Sequence, residues 1–363
     1  MPPLGLDDIK AIFSYKNKGQ FLRFLFTNKI EGLEKKPMFV DFPSKENPFG
    51  PHYDQYLMPH VQEFERKRIQ SLQEVRRRSV IAIPVCIIAI LGFLFFATSV
   101  NSESVDNAFG ITAAIVVLLL WWSSTPVATY KSSVKATIFP NVFSFFGENY
   151  TYKESSPLSA LELQKSEIVP EFDEETTEDY VKGTYSDVGI ELMEAKLYTI
   201  TRNTSSSSRS YKTRSIIFHG IYVLIDMNKK FSGQTIVRKD SGMIGNFFQK
   251  KATSLQRVKL EDPIFESKFE VYSSDQVEAR YLLTTTFMER LIQLSELFGL
   301  SKIECSFYDD KLLISIPSKI DMFETSSIFE PATFEEDIRT ILTEMKLIFQ
   351  IIDILKLNQK IGL

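Results

Sequence analysis

The sequence predicts an α+β cytoplasmic domain attached to a two-helix transmembrane hairpin. Two long uncharged apolar runs lie between residues 79 and 130. The chain after them mixes segments of strand-like alternation with segments of helical periodicity. These segments are clustered rather than strictly alternating along the chain, which favours the α+β class over a parallel α/β fold.

The overall composition excludes several classes of protein. The 363 residues are 44% hydrophobic and 24% charged, and the net charge is −4. These values do not fit a collagen-like chain, a disordered chain or a basic nucleic-acid-binding protein. Two cysteines and three histidines are too few for a disulfide framework, a cysteine zinc site or a histidine-rich centre. The sequence therefore predicts no nucleic-acid partner and identifies no cofactor.

The part of the chain before the apolar runs is predicted in two pieces. Residues 1–60 form an N-terminal cytoplasmic segment of short helices and a proline-broken loop at residues 38–52. Residues 61–79 form a basic juxtamembrane helix, with apolar residues at helical spacing and three arginines at its end. Those arginines would lie at anionic lipid headgroups, where each contributes on the order of 1 kcal/mol.

The uncharged runs predict transmembrane helices over residues 80–100 and 109–130. At a rise of about 1.5 Å per residue, some 21 residues span about 31 Å, the thickness of the hydrocarbon layer of a bilayer. Two buried core helices are the alternative, but soluble cores rarely leave about 18 residues free of charge twice in succession. Pro84 would either end a preceding amphipathic helix or kink a continuous one.

The distribution of charge predicts the orientation. The loop at residues 101–108 carries Glu103 and Asp106 but no Lys or Arg, whereas basic residues flank the runs on their other side. The positive-inside rule therefore makes the loop extracytoplasmic and both termini cytoplasmic, in a multi-pass protein of the inner (cytoplasmic) membrane. The predicted membrane-interface residues are Arg76, Arg77, Arg78, Trp121, Trp122 and Lys131.

Residues 131–363 are the predicted cytoplasmic α+β domain. We predict helices over 134–146, 158–166, 287–298 and 334–357, strands over 189–200, 215–227, 235–238 and 264–272, and a hairpin over 302–316. Asp275 and Glu278 are spaced as a capping box that begins a further helix. The acidic stretch 171–179 is interpreted either as a solvated loop or helix start, or as a site for a cation or a basic partner.

The common catalytic motifs are missing from the sequence, including the phosphate-binding glycine loops, H-E-x-x-H, C-x-x-C and G-x-S-x-G. His219 lies in a predicted strand, and as a base it would need an orienting carboxylate and a nucleophile supplied by the fold. A packed or hydrogen-bonded strand histidine is the alternative.

Four acids and an arginine gather in one later stretch: Glu266, Glu270, Asp275, Glu278 and Arg280. They predict either a functional cluster for acid–base or divalent-metal chemistry or a structural ion-pair network.

The same stretch carries a family resemblance. FESKFEVYSSDQVEARYLL, residues 265–283, is similar to the strongest motif of an uncharacterised bacterial membrane-protein family, the domain of unknown function three-one-three-seven, whose members are sometimes labelled "galanin". Segments within 179–195, 218–233 and 306–324 are similar to its other motifs, and the resemblance covers about residues 60–330. The family has no established activity, so the resemblance implies no catalytic residues. It does imply an association with LemA-type membrane proteins.

These patterns favour a non-enzymatic protein of the lipid bilayer whose cytoplasmic domain binds a protein partner or ligand in a membrane complex. A membrane-tethered enzyme that uses Glu266, Glu270, Asp275 and Glu278 is one alternative. An oligomeric pore or transporter subunit is another. Neither predicted span contains an ionisable side chain, so a polar pathway would require a homo-oligomer.

Overall fold

The computed structural model describes residues 23–25, 27, 49–99, 102–204, 210–227, 230–239, 255–298, 303–318, 321–325, 327–355 and 357. These residues form two compact units. The helical unit contains the chain up to Phe145 together with residues 325–338, and the sheet unit contains residues 146–324 and those from 339 onward. Most of the predicted N-terminal segment 1–60 lies outside the described residues.

Two long helices form most of the helical unit. Helix α1 runs over Gly50–Ala97 and includes a π-helical turn at Tyr53–Leu57. Helix α2 runs over Ser102–Phe143, and a 3-10 turn follows at Ser144–Phe146. Helix α1 continues through Pro84, so the predicted juxtamembrane helix and the first apolar run are one helix.

Two predicted loops in this region are wrong in extent. The loop predicted over residues 101–108 is already helical from Ser102. Acidic residues are favoured in the first turn of a helix because of its dipole, and the sequence has them at positions 103 and 106. The loop predicted over residues 38–52 ends as helix from Gly50, where Pro51 occupies the first turn and loses no hydrogen bond there.

The first half of α1 buries one face against α2. Buried side chains recur every three or four residues along it, with Arg68 and Ser79 at two of the positions and apolar residues at the others: Tyr53, Leu57, Val61, Phe64, Leu72, Val75 and Ala82. The second half of α2 contributes a matching set: Val127, Val134, Ile138, Phe139, Val142 and Phe143. This spacing keeps one stripe of each helix towards its neighbour.

A buried ion pair interrupts the apolar stripe of α1. Arg68 is 0% exposed, and its guanidinium donates to both carboxylate oxygens of Glu65, at 2.8 and 2.7 Å. Arg68 Nη1 also donates to the carbonyl oxygen of Ile328 at 2.9 Å, and the amide of Ala332 donates to Glu65 at 3.0 Å. The pair, which we call the Arg68 clamp, therefore fastens residues 327–338 to α1.

The second half of α1 and the first half of α2 are apolar and exposed. Both helices are long and apolar enough to cross a membrane, and only 11% of each apolar window is buried. Large side chains such as Ile88 and Phe95 on α1 and Phe109 and Leu118 on α2 are open, Phe95 by 76%. An exposed apolar surface of this extent marks a contact with protein or lipid.

The sheet unit contains nine described strands and five helices. The strands are β1 (Thr151–Ser155), β2 (Glu174–Tyr185), β3 (Val188–Thr204), β4 (Ser210–Asp226), β5 (Thr235–Lys239), β6 (Gln256–Val258), β7 (Phe269–Ser273), β8 (Glu304–Tyr308) and β9 (Lys311–Pro317). The helices are α3 (Ala160–Leu163), α4 (Pro263–Glu266), α5 (Gln276–Leu282), α6 (Thr285–Leu297) and α7 (Glu335–Leu355), the last of which begins in the helical unit. The strands form one sheet in the order β1-β2-β3-β4-β9-β8-β5-β7-β6.

Every neighbouring pair of described strands is antiparallel. The large antiparallel sheet with separate helices confirms the α+β class. The predicted strands 189–200, 215–227 and 235–238 correspond to β3, β4 and β5, and the predicted hairpin is β8–β9 with Asp309 and Asp310 in its turn.

Two predictions in the sheet unit are wrong. The strand predicted over 264–272 begins only at Phe269, because Asp262 caps the helical turn α4 and Pro263 stands at its first position. The acidic stretch 171–179, interpreted as a loop or helix start, belongs to strand β2 from Glu174 onward. Pairing with β1 and β3 on its two sides supplies the backbone hydrogen bonds that its residue types alone do not favour.

Strand β3 lies inside the sheet, and its two faces differ. Met193, Ala195 and Leu197 belong to an apolar core cluster on one face. Successive strand residues point to opposite faces, so Glu194 and Lys196 point to the other one. The strand thereby places two ionisable side chains within the sheet rather than at its edge.

Candidate functional site: an acidic cluster on β2, β3 and β4

Three distant segments converge on the face of β3 that is opposite the apolar core cluster. Glu194 lies on β3, and His219 lies on β4, opposite Lys196 in the register. Asp321 lies in the segment that follows β9. One potential ligand atom from each of Glu194, His219 and Asp321 lies within 4.8 Å of the other two. We call this group the Glu194 site.

Asp321 is the centre of the polar contacts. His219 Nε2 lies 2.7 Å from Asp321 Oδ1 and 3.4 Å from Glu194 Oε1. Lys196 Nζ lies 2.8 Å from the same Asp321 oxygen. The amide of Met322 donates to Glu194 Oε2 at 2.8 Å, which fixes the glutamate side chain against the segment that carries Asp321.

The two carboxyl groups of the site have opposite protonation tendencies. Burial and then the neighbouring Asp321 raise the pKa of Glu194, which is 2% exposed, to about 9. Burial alone would also raise the pKa of Asp321, but its interactions with Glu194, Lys196 and His219 outweigh burial and lower that pKa to about 2. At neutral pH Glu194 is therefore neutral and Asp321 is charged, so His219 Nε2 carries the proton that it donates to Asp321.

One oxygen of Glu194 is left over. Its Oε1 is buried and makes no hydrogen bond with any described residue. A buried polar atom without a partner costs about 1–3 kcal/mol, so such atoms are rare and call for an explanation.

A second acidic group adjoins the Glu194 site. Oxygens of Glu178, Asp179 and Glu324 lie within 4.8 Å of one another. Glu178 is the register partner of Glu194, and the charge of Asp179 contributes to the raised pKa of Glu194. The hydroxyl of Tyr152 donates to Asp179, and burial followed by that carboxylate raises the pKa of Tyr152.

A β-bulge in β2 brings two consecutive acids into this group. The register with β3 shifts between Glu178 and Val181, so that Asp179 and Tyr180 together oppose Met193. Asp179 has a φ of 49°, a left-handed conformation that aspartate tolerates better than most residues. The extra residue re-aims the strand, which allows Glu178 and Asp179 to reach the same point.

A glycine allows the segment that carries Asp321 to approach His219. Gly220 pairs with Pro317 at the end of β9, and a Cβ at Gly220 would overlap the carbonyl oxygen of Ile316. The amide of Ser318 donates to the carbonyl oxygen of His219 at 2.8 Å. The chain therefore leaves β9 directly beside His219, four residues before Asp321.

The residues of the predicted acidic cluster each have their own hydrogen-bond or ion-pair partners in the structure. Asp275 accepts hydrogen bonds from the amides of Val277 and Glu278 and caps α5, as predicted. Glu278 does not complete the predicted capping box, because its carboxylate instead accepts from the amides of Ser232 at 2.9 Å and Gly233 at 2.7 Å. Two backbone donors from another loop are the better partners for a carboxylate.

The other members of the predicted cluster also have structural partners. Glu266 accepts from the amide of Leu260 at 2.7 Å, and Glu270 lies 3.1 Å from the guanidinium of Arg257. Arg280 donates to two main-chain carbonyl groups. Among the described residues, the groups of side chains close enough to hold a metal ion do not include these acids. Their contacts are those of a structural network, and a chemical role for them stays a prediction.

We expect Glu278→Ala to lower the free energy of unfolding of the sheet unit by about 1–3 kcal/mol, because two backbone amides lose a charged acceptor. Chemical unfolding measures the loss, and hydrogen exchange locates it at the amides of Ser232 and Gly233. Glu289→Ala, at an exposed position of α6, is the matched control and should change stability little. Unchanged exchange at both amides would contradict the structural role.

Two predicted membrane-interface residues meet in the helical unit. Arg78 Nη1 donates to the carbonyl oxygen of Trp122 at 2.8 Å and to Thr125 Oγ1 at 2.6 Å. The Arg78 guanidinium lies 5.2 Å from the centroid of the Trp122 ring, and Glu74 accepts hydrogen bonds from Arg77 and Arg78. Arg78 thus ties α1 to α2 at the level where the exposed apolar surface begins.

The remaining predicted interface residues lie nearby in sequence on the same two helices. Arg76 donates to the carbonyl oxygen of Leu25 at 3.1 Å. Trp121 is exposed and Lys131 is half-buried. Their position at a lipid headgroup layer stays a prediction.

Sequence reasoning missed the Glu194 site. It considered His219 alone and attached no function to Glu194 or Asp321. A signal was available, because the family-like segments 179–195, 218–233 and 306–324 each contain one of the three residues. The separation of these segments in the chain hid their proximity in the fold.

The large sheet and the two long apolar helices define an α+β protein with a helical hairpin. Comparison with known families identifies the type of domain in the second half of the chain. Residues 216–357 match the model of a family described as "Protein of unknown function (DUF3137)". This stretch is a domain of unknown function 3137, which confirms the family resemblance over the part that the two share, residues 216–330. It includes His219 and Asp321, whereas Glu194 lies before it.

Comparison with individual proteins adds little. No curated protein sequence matches the chain. The crystal structure of the mycobacterial trehalose monomycolate transport factor A, TtfA, is 10% identical and covers 57% of this chain and 88% of that chain, with a TM-score of 0.29. A similarity at this TM-score supports no functional argument.

Proposed function

We propose that the protein is an integral membrane protein whose α1–α2 hairpin crosses the inner membrane twice, and whose sheet unit is a non-enzymatic cytoplasmic binding module in a membrane complex. The exposed apolar surface on the two helices carries this proposal. A core helix of a soluble protein would be mostly covered, whereas these apolar windows are only 11% buried. Lipid offers such side chains an apolar environment, and helices satisfy their own backbone hydrogen bonds there.

The length of the apolar surface also fits a bilayer. Val80 is exposed one helical position after the buried Ser79, and the exposed apolar side chains of α2 extend to Trp122. From Val80 to Ala97 the helix rises about 27 Å, close to the hydrocarbon thickness of about 30 Å. Arg78 and Trp122 together supply the cation and the amphipathic ring that favour a headgroup layer.

The charges at the two ends of the hairpin support the proposed orientation. Asp106 is exposed near the connection between the helices, and the three arginines from Arg76 to Arg78 lie at the other end. Cytoplasmic flanks are enriched in Lys and Arg. We therefore place the connection outside the cytoplasm and the chain before α1 and after α2 inside.

Membrane fractionation and cysteine labelling test this proposal. We expect the full chain to resist alkaline carbonate extraction. In a Cys86→Ala background, Asp106→Cys should react with a membrane-impermeant maleimide on intact spheroplasts, whereas Lys153→Cys, at an exposed site on β1, should react only after lysis. Release of the chain by carbonate, or the reverse labelling pattern, would contradict it.

A binding role for the sheet unit is supported by the acidic cluster described above. Glu178, Asp179, Glu194, Asp321 and Glu324 lie in two adjoining groups. Carboxylates concentrated in this way favour a cationic ligand, because like charges destabilise one another unless a cation compensates them.

A membrane-protein partner of the LemA type is proposed on the family resemblance alone. Self-association of the hairpin is the competing proposal and corresponds to the pore alternative. Cross-linking in native membranes, followed by mass spectrometry, distinguishes the two: a stoichiometric LemA-type protein supports the first, and a homo-oligomeric ladder without it supports the second.

A further inference from the structure

We propose that Glu194, His219 and Asp321 bind a divalent transition-metal ion of the Zn²⁺ or Mn²⁺ class in the sheet unit. The inference deepens the binding role proposed for that unit and rests on it. It does not depend on whether the hairpin crosses a membrane.

The donor set selects the class of ion. One imidazole nitrogen and oxygens of two carboxyl groups lie within 4.8 Å of one another, a spread that a single ion with bonds of about 2.0–2.2 Å can draw together. The imidazole suits zinc, iron or nickel and the two carboxylates suit manganese as well, whereas magnesium and calcium prefer sites made of oxygen ligands alone. Three protein ligands leave further coordination positions open to water or to a ligand.

The leftover oxygen of Glu194 is a separate observation that points to a ligand. Glu194 is 2% exposed, and its Oε1 makes no hydrogen bond with the described residues although it lies 3.4 Å from His219 Nε2. The other oxygen is held by the amide of Met322 at 2.8 Å. The side chain is therefore fixed by one oxygen while the second is free to coordinate, and a bound ion would satisfy it.

The charge around the site favours a cation. Glu178, Asp179 and Glu324 form the adjoining group, and within the described residues the ammonium nearest to Asp321 is that of Lys196, at 2.8 Å. The Lys196 ammonium thus occupies part of the position that a metal ion would take. Binding of the ion displaces this ammonium from Asp321, and Glu194 coordinates as a carboxylate after releasing its proton to solvent. His219 coordinates through Nε2 once the proton on that nitrogen has moved to Nδ1 by exchange with solvent.

Metal titration of the full chain in detergent, after removal of metals with a chelator, tests the inference. We expect one Zn²⁺ or Mn²⁺ ion per chain by calorimetry and elemental analysis, and much weaker binding of Mg²⁺ and Ca²⁺. His219→Gln and Asp321→Asn should each weaken binding at least about tenfold. Glu174→Gln, at a half-exposed position of β2 paired with Arg214, is the matched control and should bind as the wild type does.

Lys196→Met separates a metal site from a network of ion pairs. Removal of the ammonium should tighten metal binding about tenfold, because the ion no longer displaces a competing cation. A network that only stabilises the fold would show no such gain. Stoichiometric binding that is lost in His219→Gln and gained in Lys196→Met would establish the site.

Spectroscopy of the wild-type chain tests the inference without depending on the folding of any variant. Co²⁺ bound by one nitrogen and two oxygens should give visible absorption bands, and these bands should disappear when excess Zn²⁺ competes. A wild-type chain that takes up no Zn²⁺, Mn²⁺ or Co²⁺ stoichiometrically would overturn the inference. A chain that resists carbonate extraction but binds no metal loses only this inference, whereas one that binds metal but is extracted loses only the proposed membrane anchor.

Discussion

Arg68→Ala is expected to lower the free energy of unfolding of the helical unit by about 3–5 kcal/mol, the range measured when one partner of a buried ion pair is removed. The alanine leaves the Glu65 carboxylate buried without its cation, and the carbonyl group of Ile328 without its donor. The hydrogen bond from Ala332 to Glu65 also loses its anchor. Residues 327–338 should therefore detach from α1 before the helices separate.

Hydrogen exchange in detergent measures this effect, because protection of the Ala332 amide reports the clamp directly. Arg66→Ala is the matched control, since Arg66 is exposed and one half-turn away on the same helix. The double variant Glu65→Leu, Arg68→Met should recover most of the lost stability, because it removes both charges of the pair. A single variant as stable as the Arg66 control would contradict the burial of the pair.

Gly220→Ala is expected to destabilise the sheet unit by about 1–3 kcal/mol, the usual cost of forcing extra atoms into a packed interior. The new Cβ would overlap the carbonyl oxygen of Ile316, and backbone atoms cannot rotate away as a side chain can. The end of β9 must then move from β4, which shifts the segment leading to Asp321. If the Glu194 site binds a metal ion as inferred, the variant should also lose affinity for it.

Chemical unfolding and metal titration of the same preparation check the two parts of this prediction. Gly92→Ala is the control, because a Cβ there meets no described atom within 4 Å and alanine favours a helix. The structural part fails if Gly220→Ala is as stable as Gly92→Ala. The link to the site fails if stability falls but metal affinity does not.

The helical hairpin could be predicted from the sequence because its signal is local. Two charge-free runs and their arginine-rich flank are contiguous in the chain, and helices form between residues close in sequence. The Arg68 clamp escaped prediction for the opposite reason. Its partners Ile328 and Ala332 are more than 250 residues away in the chain.

Strand predictions succeeded where β-branched and aromatic residues dominate, as in β4 and β9. They failed at Glu174 and its acidic neighbours, since neighbouring strands rather than residue preference make that stretch a strand. The Glu194 site depends on the same long-range pairing. Its residues lie on β3, on β4 and after β9, and β9 pairs with β4 although four other strands separate them in the chain. The position of His219 in the sequence does not indicate that β4 pairs with β9.

The capping box predicted at Asp275 and Glu278 was correct for the first residue and wrong for the second. The aspartate caps α5 as its spacing indicated, because a capping bond joins neighbours in sequence. Glu278 instead binds the loop at Ser232 and Gly233, which tertiary structure brought within reach.

Because α1 is one continuous helix, its length sets the distance between the membrane and the residues that the Arg68 clamp holds. Its 48 residues rise about 72 Å, of which a bilayer's hydrocarbon layer accounts for about 30 Å. With the hairpin inserted as proposed, the part of the helix before Val80 extends about 45 Å from the membrane on the cytoplasmic side. Arg68 lies 12 residues before Val80, so the clamp holds residues 327–338 at a height of about 18 Å above the hydrocarbon surface. A partner that binds those residues would have to reach the same height. The length of α1 therefore sets the distance from the membrane at which such a complex can assemble.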